Sequence, residues 1–165
     1  MKYAVVVSSK TGNTKALGDE IVAVLKQEGK TCLYSGAPCP QALDADIIFV
    51  GFWTDKGACS ADAAAFLQQC GGKKVFLFGT AGFGGDDAYF ARILQGVKKY
   101  LPDSVEEIGT FMCQGRMPQS VRARYETMPG LPPEKRQEML DNFDRALCHP
   151  NGEDLLALRC QVMGK

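Results

Sequence analysis

The chain has 165 residues, 45% of them hydrophobic and 23% charged, which is the balance of an ordinary globular protein and not of a disordered or fibrous one. Nineteen basic and nineteen acidic side chains give zero formal charge, so no global field draws the chain to nucleic acid or an anionic membrane. That length suits one core, so the expectation is a single domain over residues 1 to 165.

No apolar run approaches the roughly 20 residues of a membrane span, and the first residues run into a strand pattern without signal-peptide architecture. A cytoplasmic protein with no membrane insertion is expected. Seven cysteines are scattered at positions 32, 39, 59, 70, 113, 148 and 160, without a Cys-x-x-Cys pair and with a single histidine, His149. That spacing does not suit zinc or an iron–sulfur cluster; reduced, largely structural thiols and no metal are expected.

The first strand is the β-branched run Ala4-Val5-Val6-Val7, of the kind buried on both faces. Ser8-Ser9-Lys10-Thr11-Gly12-Asn13-Thr14 follows, and from residue 13 to about 27 Leu17, Ile21, Val24 and Leu25 mark one helical face. A loop of Ser, Thr, Gly and Asn at a helix start holds an anion well, because unpaired N–H groups and the positive end of the helix dipole point at it. Asn13 is expected to cap the helix.

Thr31 to Tyr34 reads as a short edge strand, and Ile47-Ile48-Phe49-Val50 and Val75-Phe76-Leu77-Phe78 as two more buried strands, each ended by a glycine and a loop. Between them Ser60 is expected to cap a short helix with Ala63, Phe66, Leu67 and Cys70 on its inner face. A helix with Phe90, Leu94, Val97 and Leu101 at helical spacing stops at Pro102, and residues 105 to 112 form the fifth strand. Residues 114 to 133 show no clear period and read as a long excursion. Two helices close the chain, about 134 to 147 with Met139, Phe143, Ala146 and Leu147 inward, and about 153 to 163 with Asn151 as cap; either one could be the helix on the sheet.

Strands alternating with helices predict an α/β fold with a parallel sheet between helix layers. The loops after strands one, three and four then meet at the carboxyl edge, where such sheets bind ligands. A Walker loop, a dinucleotide fingerprint and a phospho-receiver acid cluster are all missing from the relevant positions.

The stretch Ser9-Lys10-Thr11-Gly12-Asn13-Thr14 resembles the flavodoxin phosphate loop, Ser/Thr-x-Thr-Gly-Asn-Thr, and sits between the right strand and helix. The resemblance covers roughly residues 2 to 113. It implies a flavodoxin-like three-layer sandwich with a five-stranded parallel sheet in the order 2-1-3-4-5, and FMN as cofactor. In that reading Ser9, Lys10, Thr11, Gly12, Asn13 and Thr14 hold the phosphate, the hydroxyls of Ser9, Thr11 and Thr14 acting with the amides of residues 10 to 14. Trp53, Thr54, Asp55, Lys56 and Gly57 cover one edge and face of the ring. Thr80, Ala81, Gly82, Phe83 and Gly84 form the other flavin loop, with Phe83 at the stacking position.

By the same resemblance the Lys56-Gly57 peptide is the one that turns on reduction to accept the proton of flavin N5. Zero net charge and Lys56 depart from the strongly acidic character of the family and imply a less negative potential for the second electron. Arg116, Arg122 and Arg124 are candidate contacts for a partner or substrate, whereas His149 reads as a cap or surface residue.

The expected function is transport of electrons between redox partner proteins, an accessory donor to a particular reductase being one form of it. It needs no catalytic acid, base or nucleophile, since the chemistry belongs to the cofactor. Two alternatives remain open: an NAD(P)H-dependent flavin or quinone reductase on the same fold, and a flavin-binding module without redox use.

Overall fold

A computed structural model describes residues 1–84 and 86–164; Gly85, in the glycine-rich stretch after the fourth long strand, lies outside the described residues. The chain runs β1 (Lys2–Val7), α1 (Asn13–Gln27), β2 (Thr31–Gly36), a 3₁₀ turn (Pro40–Asp44), β3 (Ile47–Asp55) and β4 (Ala58–Cys59). It continues with α2 (Ala61–Leu67), β5 (Lys74–Ala81), α3 (Asp87–Lys98), β6 (Glu106–Gln114), α4 (Gln119–Thr127), α5 (Pro133–Ala146) and α6 (Gly152–Met163). The long strands pair in parallel in the order β2-β1-β3-β5-β6, which is the 2-1-3-4-5 arrangement anticipated. The two-residue β4, not anticipated, adds an antiparallel pairing to β3.

Alternation along the strands divides the core between the two faces of the sheet. Tyr3, Val5, Phe49, Phe76 and Phe78 pack with Leu17, Ile21 and Leu25 of α1 and Leu158 of α6. Ala4, Val6, Ile48, Val50, Phe52, Val75 and Leu77 pack with Ala63, Phe66 and Leu67 of α2 and with Ile93 and Val97 of α3. Of the two C-terminal helices, α6 is therefore the one on the sheet. Leu94 lies at the margin of that core and Ile93 in it, and Leu147 is exposed just past α5.

Both glycines read as strand ends lie inside strands. Gly51 of β3 stands opposite Phe78 of β5, and Phe52 opposite Gly79. A Cβ at Gly51 would sit 2.4 Å from the Phe78 ring, and one at Gly79 2.4 Å from the Phe52 ring. Each glycine makes room for its neighbour's aromatic ring, one on each face, and so β3 runs on to Asp55 and β5 to Ala81. The segment 114 to 133 also departs from expectation. Gln114 completes β6, and α4 follows, its Tyr125 buried although its other residues are largely polar. A helix with so narrow an apolar face leaves little periodic signal in the sequence.

Candidate functional site

The N-terminus of α1 stands at the carboxyl edge of the sheet. Gly12 is its N-cap residue at φ 90°, a left-handed conformation, with no side-chain cap and no acid in the first turn. The starts of α3 and α6, by contrast, are neutralised by side chains. Asp86 accepts from the amides of Ala88 and Tyr89 at α3, and Asn151 and Asp154 form a capping box at α6. The first turn of α1 keeps its positive end for something else.

Ser9 Oγ accepts from the amide of Gly12 at 3.1 Å and from that of Lys15 at 3.4 Å, shaping the loop. Asn13 does not cap. Its Nδ2 donates to Thr11 Oγ1 at 3.0 Å and to the Arg116 carbonyl at 2.7 Å, tying the loop to the chain that leaves β6. The Thr14 hydroxyl faces inward, 3.0 Å from Thr80 Oγ1 and 3.2 Å from the Phe52 carbonyl.

Behind the loop Ser8 Oγ lies 2.8 Å from Ser60 Oγ and donates to Asp62 Oδ1 at 2.7 Å. Ser60 thus starts α2 without capping it by its side chain, because its hydroxyl is turned to Ser8. Burial pushes the Asp62 carboxyl up, but hydrogen bonds from Ser8, Ser60 and the Ala63 amide outweigh it and hold the group below its ordinary value.

Residues 53 to 57 form a hairpin, not a free loop. Thr54 pairs with Cys59 and Asp55 with Ala58, and the connecting Lys56 and Gly57 have φ of 50° and 80°. Two left-handed residues in succession match the twist of a two-residue hairpin, and Gly57 supplies the second at no steric cost. Lys56 and Gly57 are exposed at the tip; Trp53 lies at the base, with Lys10 Nζ 5.1 Å above its ring. Thr54 Oγ1 donates to the Thr80 carbonyl at 2.8 Å, joining the hairpin to the third loop.

In the third loop Thr80 and Ala81 belong to β5 and are buried. The Gly82 carbonyl accepts twice, from Gln114 Nε2 at 2.9 Å and from Asn142 Nδ2 at 3.1 Å, and Gln114 also donates to Asn142 Oδ1 at 3.0 Å. A Cβ on Gly82 would meet Met117 Sδ at 2.5 Å. Phe83 is 39% exposed, with its ring centroid 6.4 Å from that of Tyr125. Gly84 follows, partly exposed, beside Phe90 of α3. The segment from Gln114 to Tyr125 therefore walls the third loop.

Lys10 with Trp53, Thr14 with Thr80, and Thr54 with Thr80 join the three loops directly, while Asp55, Lys56 and Gly57 extend beyond them. Gln114 and Met117 leave the last strand beside the flavin loops, as the strand order implied, whereas Tyr125, Asn142 and Asp62 stand in no recognisable pattern and escaped sequence reasoning. Of the arginine candidates, Arg122 is held by Glu126 and by Asp144, and Arg116 is exposed. His149 Nδ1 lies 2.6 Å from Asp154 Oδ2, within the capping network of α6.

The cysteines are all unpaired, and among the described residues no group of His, Cys, Asp and Glu is placed to hold a metal. Burial pushes the thiols of Cys59 and Cys70 up to about 11, and that of Cys113 higher still. These three are inert as thiolates at neutral pH. No helix among the described residues is long and apolar enough to cross a membrane.

A parallel sheet in this order, with an uncapped helix start and two aromatic-bearing loops at its carboxyl edge, defines a flavodoxin-type site. The sequence matches the flavodoxin domain family over residues 4–163, and the chain belongs to that family. It is 40% identical over 176 residues to the flavodoxin-like domain-containing protein BilS of Clostridium symbiosum (strain WAL-14163), across 96% of this chain and 93% of the relative. The protein of the same name from Clostridioides difficile (strain CD3) is 31% identical over 160 residues, across 94% and 90%. Among solved structures, the flavodoxin of Streptococcus pneumoniae TIGR4 aligns with 88% of this chain and 99% of its own at a TM-score of 0.56 and 15% identity, a likeness of fold.

The residues present fit FMN, the cofactor of that family. Uncapped amides at α1 and the Ser9 and Thr11 hydroxyls suit a monoester phosphate, and the partly exposed Trp53 and Phe83 suit a flat ring.

Proposed function

We propose that the protein binds FMN at this edge and carries electrons between redox partner proteins. The observation that carries the reading is the unneutralised start of α1, set between two loops that present Trp53 and Phe83. When bound, the flavin supplies the one- and two-electron chemistry. The chain's own residues then bind, orient and shield.

The amides of residues 10 to 14 and the hydroxyls of Ser9 and Thr11 hold the phosphate. The inward Thr14 hydroxyl fixes the helix start against β3 and β5. Trp53 and Phe83 bracket the ring, and the Lys56-Gly57 turn is the peptide able to reorient a carbonyl toward it, Gly57 standing in open space where no side chain would clash. Lys10 and Lys56 put positive charge around the ring, which favours an added electron and gives a less negative potential than an acidic flavodoxin has.

One observation favours a second reading. The α4 segment walls the Phe83 side of the site, as a reductase with its own substrate pocket would require. Mixing the FMN-loaded protein with NADPH under argon separates the two: a carrier leaves the yellow colour unchanged, whereas rapid bleaching identifies an NADPH-dependent reductase. Stepwise reduction in two resolved one-electron stages under dithionite titration is expected of the carrier and argues against a flavin-binding module without redox use.

A further inference from the structure

The loop that bears Phe83 also borders a cavity of about 570 Å³, between the start of α3 and the outer side of α5. Its walls include the rings of Phe83 and Tyr89, the Met139 side chain, and three cations, Arg92, Lys135 and Arg145. Two carboxylates, Asp86 and Glu138, line it as well, but both are engaged. Asp86 Oδ1 accepts from the Ala88 and Tyr89 amides at 2.7 and 3.3 Å, and Glu138 pairs with Lys135 at 3.7 Å.

Arg92 and Arg145 are left. Among the described residues neither guanidinium has a carboxylate within ion-pair distance. Arg122 spends its donors on Glu126 and Asp144, Arg136 on the carbonyls of Tyr125, Glu126 and Met128, and Arg159 on Glu20, whereas Arg116 and Arg124, outside this groove, also lack a carboxylate partner among the described residues. The Arg92 guanidinium lies over the Tyr89 ring, 5.9 Å from its centroid. A guanidinium beside an aromatic ring and without a carboxylate partner keeps donors available for a carboxylate or phosphate.

We propose that this cavity binds a planar organic anion, its acid group between Arg92 and Arg145 and its ring against Phe83 and Tyr89. The site is an open groove with exposed cations at its rim, and aromatic walls with a few convergent polar groups are what small-molecule sites use. An acidic protein surface needs only the charges; the apolar rings inside the cavity favour the small ligand. Asn142 lines the same cavity and holds the Gly82 carbonyl, so a ligand here lies against the loop assigned to the flavin. Its bearing on electron transfer rests on that assignment, whereas its binding does not.

The test is calorimetric titration of the FMN-loaded protein with anthraquinone-2,6-disulfonate, a planar dianion, beside neutral menadione. Saturable binding of the dianion is expected, weakening as salt rises. The R92Q/R145Q double variant should lose at least about tenfold in affinity for it, as removal of charge-assisted hydrogen bonds does, with partial recovery in R92K/R145K. Equal affinity in the parent and R92Q/R145Q overturns the proposal. So does binding that is abolished by FMN, since the dianion then occupies the ring site. Arginine-dependent binding of polyglutamate without binding of the dianion also overturns it, in favour of an acidic protein partner. A protein that takes up no FMN ends the flavin reading, yet the same titration on that protein still tests the arginines.

Discussion

Replacing Asn142 by alanine removes the side chain that joins α5 to both β6 and the third loop. The residue is 6% exposed, and its amide makes two hydrogen bonds, Nδ2 to the Gly82 carbonyl and Oδ1 from Gln114 Nε2. Gly82 keeps its bond from Gln114, but one Gln114 N–H is left buried without an acceptor. Two net bonds and one stranded donor amount to about 2–4 kcal/mol. For a chain of this size that lowers Tm by roughly 5–15 °C. Thermal unfolding followed by circular dichroism reads the loss directly. N142D keeps an acceptor for Gln114 but buries a charge with one oxygen against the Gly82 carbonyl, so it should be no more stable than N142A in the neutral pH range. A Tm for N142A within a degree or two of the parent would refute the reasoning, because it would mean that α5 is not fastened to the site through this amide.

Gly12→Ala places a Cβ at φ 90° in open space, so the cost is conformational alone, about 1–2 kcal/mol, and should appear in denaturant unfolding together with weaker FMN binding. The Asp62 carboxyl is held below its ordinary value in the fold, so its contribution to stability is present above that value and is lost as pH falls through the lower folded one. Acid unfolding below about pH 4 should therefore be less steep in D62N than in the parent, by a modest amount since Asp62 is covered only where it meets Ser8 and the Ala63 amide and otherwise faces solvent. With a colorimetric thiol reagent at neutral pH, the exposed Cys32, Cys148 and Cys160 should react fast, and Cys59, Cys70 and Cys113 only on unfolding. Fast reaction of all seven in the native protein would contradict the packing described.

Strong local patterns made most of the architecture legible. Three β-branched or aromatic runs marked the central strands, the Leu17, Ile21, Val24 and Leu25 stripe marked α1, and the loop from Ser9 to Thr14 is where an anion is proposed to sit. Strand lengths were misread at Gly51 and Gly79, because a glycine that yields space to a neighbouring phenylalanine looks in sequence like a turn. The wall of the site was legible only in part. Gln114 and Met117 were expected beside the flavin loops, but Tyr125 of α4 and Asn142 of α5 reach them only through tertiary contacts, and α4 buries a single aromatic residue. The capping residues were partly misjudged, since Asn13 and Ser60 found stronger partners at long sequence distance, in the Arg116 carbonyl and in Ser8.

The central claim is that this edge of the sheet holds one FMN. The direct measurement is a fluorescence titration of the flavin-free protein with FMN, run alongside riboflavin and the visible spectrum of the complex. Quenching of flavin fluorescence at one FMN per chain is predicted, with riboflavin binding at least about tenfold more weakly for want of a phosphate at α1. A protein that remains colourless and leaves FMN fluorescence unchanged, or one that binds riboflavin as tightly as FMN, would contradict the account.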